Sequence, residues 1–322
     1  MTDISVFIPF TPRRPEQALQ WAGLVHWTDA ARLWQGQTLL TETHQTTAAL
    51  SGAGFRVPSG TGVSLMPLRH PYLAAVEARS AAIVTGHPFV AGFGPGSKAL
   101  QRAVMGRPYR SALTASREYL TIVRGLLDGG TVDMHGEYFS CNVSLGPYPA
   151  PRIDVGLGVL RPGMARLAGE VADVAITWLT PANYVRDEIV PAVLAGAEAA
   201  SRPRPRIVAV VPVAVDRDGR DPVEAAKAGS GAHLQGPHYL DMLRRSGAAV
   251  TGTDLDADAR ALVSSNAFLS GDVTKLRSLL DEYTAAGVDE VVLNTTGVVN
   301  TAGPTAALED VTEILAETAH RA

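Results

Sequence analysis

The chain has 322 residues, 46% of them hydrophobic and 19% charged, which is enough to bury the core of one large domain or two ordinary ones. Its formal net charge of −4 gives no reason to expect nucleic acid or a membrane surface as a partner. The single cysteine, Cys141, excludes an intrachain disulfide and a multi-cysteine metal site. The opening stretch MTDISVFIPF lacks the features of a signal peptide, and no apolar run approaches the roughly 20 residues that span a bilayer. We therefore expect a cytoplasmic α/β protein.

Short apolar runs alternate with helical stretches along the chain. Eight runs are candidate strands, at residues 4–8, 31–34, 61–66, 89–93, 153–157, 174–178, 207–215 and 290–293. Most are apolar throughout, as expected for strands buried on both faces of a parallel sheet. Eight strands with intervening helices favour a (β/α)8 TIM barrel, with a doubly wound open sheet as the alternative. We expect one domain over residues 1–322.

Helix boundaries are marked by proline and glycine. The stretch 111–130 has apolar residues at three-to-four spacing and Gly129 placed to end the helix. Pro162 suits the first turn of a helix over 162–173, and Gly287 separates a helix from the last strand. Two stretches, 133–151 and 222–258, interrupt the alternation. As long loops at barrel strand ends they would carry substrate contacts, and surface decoration explains them equally well.

The stretch VAGFGPGSKALQ, residues 90–101, has the composition of a phosphate-binding loop. Its glycines do not match G-x-G-x-x-G, and its Gly-Ser-Lys does not match a P-loop. Glycines at a strand end let the backbone approach a ligand, Ser97 suits a helix cap, and Lys98 adds a positive charge. The segment IDVGLGVLRPGMARLAGE has the same arrangement, with Arg161 beside a helix start. The two loops would hold one phosphorylated cofactor, and a glycine-rich turn without a ligand is the alternative.

Five segments together resemble the luciferase-like flavin and deazaflavin oxidoreductases, which are (β/α)8 barrels. In chain order they are TGVSLMPLRHP, PFVAGFGPGS, GRPYRSALTASREYLTIVRGLLDGGTVDMHGEYF, GVLRPGMARLAGEVADVAITWLTP and SGDVTKLRSLLDEYTAAGVDEVVL. The resemblance implies a cofactor ring at the carboxyl ends of the strands, backed by a bulge and a cis peptide at Gly62–Val63. It implies the cofactor phosphate at the loops after the fourth and fifth strands. The implied cofactor-binding residues are Gly62, Val63, Gly94, Gly96, Ser97, Lys98, Gly156, Leu157, Gly158, Val159, Leu160, Arg161, Pro162 and Trp178.

The chain departs from the alcohol-oxidising members of this family, which carry an Asp-His pair after the second strand and an acid after the fourth. Gln37 and Thr38 stand at the pair's position, and Ser97 stands at the acid's. None of these side chains is an efficient acid or base near neutral pH. Ionisable alternatives are His44, Arg69, His70 and Tyr109, each of which also has a purely structural explanation. We therefore assign no catalytic residue from the sequence.

These departures favour reduction of a polarised C=C or C=N bond over oxidation of an alcohol. The resemblance is to the branch that uses coenzyme F420, with FMN as the alternative cofactor and monooxygenation as the alternative reaction. It extends to natural-product enzymes that reduce dehydroalanine in lanthipeptides, so a small molecule or a modified peptide is the expected substrate. A non-catalytic flavin-binding barrel is a further alternative, and the resemblance implies a homodimer. A Schiff-base lyase is disfavoured because Lys98, Lys227 and Lys275 fall on helices or helix starts, outside the predicted strands.

Overall fold

The computed structural model describes residues 2–319. Its strands are β1 Asp3–Phe7, β2 Leu33–Gln35, β3 Ser59–Leu65, β4 Phe89–Gly94, β5 Thr131–His135, β6 Ser140–Ser144, β7 Ile153–Gly158, β8 Val174–Trp178, β9 Arg206–Val215, β10 Leu269–Gly271 and β11 Glu290–Asn294. Its α-helices are α1 Leu19–Trp27, α2 Thr43–Gly52, α3 Pro71–Thr85, α4 Lys98–Met105, α5 Ala112–Leu127, α6 Pro162–Val171, α7 Ala182–Tyr184, α8 Val190–Ala199, α9 Pro222–Leu234, α10 Pro237–Arg245, α11 Leu255–Ser264, α12 Val273–Ala285 and α13 Thr296–Ala319.

Eight parallel strands close into a barrel in the order β1, β2, β3, β4, β7, β8, β9 and β11. Closure is shown by β9, which pairs with β8 on one side and with β11 on the other, and by the pairing of β11 with β1. The short strand β10 lies outside this ring and pairs with the carboxyl end of β9. The predicted TIM barrel is therefore confirmed, and the open doubly wound sheet is excluded.

All eight predicted strands are present, with ends that differ by a few residues at most. The predicted helix boundaries also hold, because Gly129 and Gly287 adopt left-handed φ angles of 80° and 91° just after α5 and α12. Pro162 is the first residue of α6. Local backbone preferences were therefore sufficient to place most of the barrel.

The two interrupting stretches differ from each other. Residues 133–151 belong largely to the antiparallel hairpin β5–β6, a two-stranded sheet that is separate from the barrel sheet. Glu118 of α5 accepts backbone N–H groups from residues 137–139, and Arg79 of α3 donates to Gly146 O at 2.9 Å. Residues 222–258 instead form α9, α10 and the start of α11, after the carboxyl end of β9. This second insertion follows the carboxyl end of a barrel strand, where substrate contacts were expected.

The barrel interior is a separate apolar cluster from the core between barrel and helices. Its buried members are Phe7, Trp34, Val90, Val174, Ile176, Val208, Val210 and Val292. At its amino-terminal end the fully buried carboxylate of Glu290 accepts hydrogen bonds of 2.6 Å from Ser5 and Trp34, and it lies 3.6 Å from Arg32 and 3.5 Å from Arg206. This end of the barrel is therefore filled by a charged network, and the opposite end remains for a ligand. No helix within residues 2–319 combines the length and apolar character needed to cross a membrane.

Candidate active site

The carboxyl ends of the barrel strands form one face of the molecule, where TIM-barrel enzymes place their active sites. In β3 the pairing register with β4 shifts between Thr61 and Ser64, and the Gly62–Val63 peptide bond within that shift is cis. The bulge and the cis peptide that the family resemblance implied are both confirmed. They place Val63 at the mouth of the barrel, partly exposed and packed on the interior cluster.

Val63, Trp178 and Phe7 form an apolar floor at this mouth. The ring of Trp178, at the end of β8, meets the buried ring of Phe7 edge-on, with centroids 5.2 Å apart. A Cβ atom at Gly94 would lie 2.8 Å from Val63 Cγ2, and one at Gly158 would lie 3.3 Å from Val63 Cγ1. The two glycines therefore make room for Val63, so that β4 and β7 can flank it. A partly exposed apolar surface of this kind suits an aromatic ring system.

The earlier glycines of both strands have a different role from the predicted one. A Cβ at Gly92 would lie 2.2 Å from Thr61 O and 2.4 Å from Ile176 Cδ1, and one at Gly156 would lie 2.9 Å from the same Ile176 atom. These positions are glycine because Ile176 fills the interior beside them. Packing against Ile176 therefore explains the glycine at position 156, and its predicted contact with the cofactor stays a prediction.

The turn after β4 has the geometry expected of an anion site. Gly96 has a left-handed φ of 68°, and Ser97 caps α4 by accepting the N–H of Leu100 at 3.2 Å. Gln101 fixes the turn by donating to Pro95 O at 2.8 Å and to Gly96 O at 3.0 Å. Ser97 and Lys98 are exposed. The helix start is thus rigid, open to solvent and next to a positive charge.

The turn after β7 lies next to it, because β4 and β7 are paired and Phe93 is in register with Leu157. Arg161 precedes α6 without capping it through its side chain, and Pro162 opens the helix. The side chains of Leu157 and Val159 are buried in the outer core, joined there by the partly buried Leu160. Of the residues predicted in this turn, these three therefore do not present side chains to the mouth.

Arg161 does not stand alone at its helix start. Its guanidinium lies 3.6 Å from Asp241 Oδ2 of α10, and Asp241 also pairs with Arg245 at 3.2 Å. Asp241 Oδ2 is buried and accepts no hydrogen bond from the described residues. A loose ion pair of this length leaves Arg161, which is 55% exposed, free to turn toward an anionic ligand.

Gln37 and Thr38, at the position of the family's Asp-His pair, serve structural roles. Gln37 accepts a 2.6 Å hydrogen bond from the Arg69 guanidinium, and its backbone N–H binds Val63 O at 3.2 Å. Thr38 accepts the backbone N–H groups of residues 40 and 41 and so closes the loop. Arg69 is held further by Glu77 at 2.7 Å. This loop supports the floor under Val63 and supplies no acid or base.

The remaining candidates for the proton donor are held by contacts that do not involve the apolar floor. His70 caps α3 through Nδ1 and donates from Nε2 to Ser140 O at 3.1 Å, so it links the hairpin to the barrel. His44 pairs with Glu42 at 2.8 Å and packs beside Phe89 in the outer layer. Burial raises the pKa of Tyr109 to about 12, and its ring lies 5.1 Å from that of Tyr138, also in the outer layer. The structure gives none of them access to the apolar floor.

One functional candidate was missed in the sequence, although it lies in the GAHLQGPHYL stretch of the second insertion. His233, at the end of α9, stacks on Trp178 with ring centroids 5.4 Å apart and an interplanar angle of 32°. Tyr239 of α10 meets the same imidazole edge-on at 4.9 Å. Burial, and secondarily His238, lowers the pKa of His233 to about 4, so the ring is neutral at pH 7. Nothing in the sequence places it against Trp178, which is 55 positions earlier.

The profile of the luciferase-like monooxygenase family matches residues 3–290. The chain belongs to this family. A 5,10-methylenetetrahydromethanopterin reductase of Methanolobus tindarius is 28% identical over 250 residues, which are 72% of this chain and 76% of that protein. The membership confirms the predicted class, an oxidoreductase of the luciferase-like type.

Solved structures show the same fold at low sequence identity. The coenzyme F420-dependent tetrahydromethanopterin reductase of Methanopyrus kandleri superposes with a TM-score of 0.73 at 18% identity, covering 98% of each chain. An F420-dependent secondary alcohol dehydrogenase, in complex with an F420-acetone adduct, superposes with a TM-score of 0.76 at 17% identity, covering 97% of this chain and 99% of the other. Both likenesses concern the barrel and its connections.

Proposed function

We propose that the protein is a reductase that uses reduced F420 to transfer a hydride to a polarised C=C or C=N bond. The observation that carries this proposal is a mouth with an apolar floor, two neighbouring helix starts and no acid-base pair. The proposal is further supported by a reductase relative and by the F420-dependent enzymes among the structures that share the fold. When bound, reduced F420 supplies the hydride.

The residues present at the mouth fit such a cofactor. Gly94 and Gly158 leave no side chain of their own beside Val63, so the floor is flat enough for a ring. Ser97, Lys98 and Arg161 would hold the phosphate end, because two helix starts and two cations converge on neighbouring strands. The carboxylate of Asp241 disfavours an anion beside Arg161. The long ion pair between Asp241 and Arg161 is the interaction that a cofactor phosphate would replace.

The chain's own contribution to the reaction is orientation and exclusion of water. Val63 and Trp178 provide the surface on which a ring lies, and the Gln37–Arg69 hydrogen bond holds the loop that supports Val63. The helices α9 and α10 cover one side of the mouth. Among residues 2–319, the one titratable ring in ring contact with Phe7 or Trp178 is the neutral imidazole of His233, so we infer that the proton that completes a reduction comes from water or from the substrate. Oxidation of an alcohol, which needs a base to remove the hydroxyl proton, is disfavoured for the same reason.

For the substrate, we propose a dehydroamino acid in a modified peptide as the first compound class to test. The peptide would enter beside α9 and α10, because these helices follow the carboxyl end of β9 and bring His233 onto Trp178. The Schiff-base alternative loses further support from Lys227, which pairs with Asp256 at 2.6 Å on the outer helices, and none of the three lysines lies in the interior cluster.

The test is a pair of turnover assays, both followed by cofactor absorbance. Reduced F420 is offered with a dehydroalanine peptide, a conjugated enone or a cyclic imine, and oxidised F420 is offered with 2-propanol. We expect turnover of at least one unsaturated compound and none of the alcohol. Alcohol oxidation at a comparable rate would contradict the proposal. Oxygen consumption with reduced FMN, together with no F420 turnover, would assign the protein to the monooxygenases of its family.

A further inference from the structure

The imidazole of His233 is packed between aromatic rings, and the residues around it do not satisfy its hydrogen-bonding groups. Nδ1 is buried without a hydrogen-bond partner among the described residues, between the rings of Trp178 and Tyr239. Nε2 is not enclosed in this way and makes no hydrogen bond with a described residue either. An imidazole kept only for packing would be replaced at lower cost by an apolar ring, since buried polar atoms without partners are destabilising.

Its position is fixed by the helices around it. Helix α9 lies directly on the start of α13, where a Cβ at Gly229 would meet the backbone of Gly297 at 2.7 Å. Asn300 of α13 also donates to Ala228 O of α9 at 2.9 Å. His233 follows one turn later and rests on Trp178, a residue of the proposed cofactor floor. The ring is therefore held over the mouth by close backbone contacts.

The tautomer follows from the burial of Nδ1. Leaving an N–H without an acceptor in an apolar enclosure is rarer in proteins than leaving a lone pair unmatched. The proton of the neutral ring therefore lies on Nε2, which makes the accessible edge of the imidazole a hydrogen-bond donor. The charged and titratable groups of the neighbouring elements are His238 of α10, on the side of Tyr239, and Arg161 before α6. His238 disfavours an additional positive charge on the His233 ring, and Arg161 acts in the same sense on His238.

We propose that His233 is a substrate-contacting residue whose Nε2–H donates a hydrogen bond to the heteroatom of the substrate's unsaturated group. As hydride reaches the carbon, negative charge grows on the conjugated or directly bonded heteroatom, and a fixed neutral donor stabilises that charge without carrying a charge itself. The substrates this selects are enones, α,β-unsaturated amides such as dehydroamino acid residues, and imines, and isolated alkenes are excluded. The proposal rests on the proposed reductase function.

The first test needs no turnover. In protein labelled with ¹⁵N in the imidazole rings, the His233 signals are assigned by their absence from His233→Phe. We expect the neutral Nε2–H tautomer at pH 7 and a change in the Nε2 signal when 2-cyclohexen-1-one or 1-pyrroline is added. An Nδ1–H tautomer, no response to either probe, or no binding of either probe would overturn the proposal.

The second test separates hydrogen bonding from packing. His233→Phe keeps the stack on Trp178 and removes the donor, whereas His233→Gln removes the stack and keeps a donor. The probes are compounds that the wild type reduces. We expect kcat to fall at least tenfold in His233→Phe and to recover partly in His233→Gln. We expect the Kd for the cofactor to stay within twofold of the wild-type value in both variants. Unchanged kcat in His233→Phe would overturn the proposal. If F420 does not bind and FMN does, the cofactor assignment fails, and the probe-binding result still decides the role of His233.

Discussion

Substituting Gly94 by alanine tests whether Val63 forms the floor of the cofactor site. The added Cβ would lie 2.8 Å from Val63 Cγ2, against the 3.4 Å at which ordinary contact begins, a shortfall of 0.6 Å. Because β4 is buried and paired on both sides, Val63 is the group that moves, toward the open mouth. Overpacking of this size costs about 1–3 kcal/mol, and we expect it to appear mainly as a roughly 5- to 100-fold loss of F420 affinity. Fluorescence titration measures the affinity, and urea denaturation measures the remaining effect on stability.

A double-mutant cycle isolates the clash. Val63→Ala removes Cγ2 and with it the clash. The double variant Gly94→Ala/Val63→Ala should therefore lose at least about 1 kcal/mol less F420 binding free energy than the sum of the losses in the two single variants. Gly146→Ala is the matched control, because a Cβ there meets nothing within 4 Å, and it should bind F420 like the wild type. Additivity within about 0.5 kcal/mol would refute the argument, as would unchanged affinity in Gly94→Ala.

Three further predictions address the barrel end, the anion site and the imidazole. Glu290→Gln should lower the free energy of unfolding by about 3–5 kcal/mol in urea, because it leaves the buried Arg32 and the partly exposed Arg206 without their carboxylate, whereas Glu137→Gln, in an exposed pair, should leave the urea midpoint nearly unchanged. Arg161→Gln should weaken F420 binding about tenfold, and Asp241→Asn should strengthen it. The measurement is the Kd for F420 at two salt concentrations. A change of the Kd in the same direction and by the same factor in both variants would contradict the anion site. The folded pKa of His233, about 4, lies below the ordinary 6.5, so wild-type stability falls as the pH drops from 6.5 toward 4. His233→Phe should lack this component, and its unfolding free energy relative to wild type should rise by up to about 3 kcal/mol over that interval. Parallel pH profiles of the two proteins would show that the imidazole is not buried.

The barrel was predictable because its strands are continuous apolar runs and its helices end at glycines that need left-handed φ angles. The sequence also marked the anion turn, since Ser97 is a capping residue beside Lys98. These signals are local, and each depends on a few neighbouring residues. The hairpin β5–β6 was missed because its strands alternate polar and apolar residues within a Gly- and Pro-rich stretch, so it resembled a loop.

The site itself was only partly predictable, because its contacts join residues that are distant in the chain. Gly92 and Gly156 are glycine on account of Ile176, a relation that no spacing rule reveals. His233 meets Trp178 only because α9 packs closely on the start of α13. In the same way Asp241, which controls the charge beside Arg161, comes from an insertion that has no regular place in the barrel repeat.

The most direct test of the account is a parallel titration of the purified protein, freed of cofactor, with F420 and with FMN. We predict that F420 binds tightly, that FMN binds at least tenfold more weakly, and that Arg161→Gln weakens F420 binding about tenfold. Preferential binding of FMN would contradict the cofactor assignment and leave the family's monooxygenase chemistry in its place. Binding of neither would contradict the anion site formed by the two helix starts.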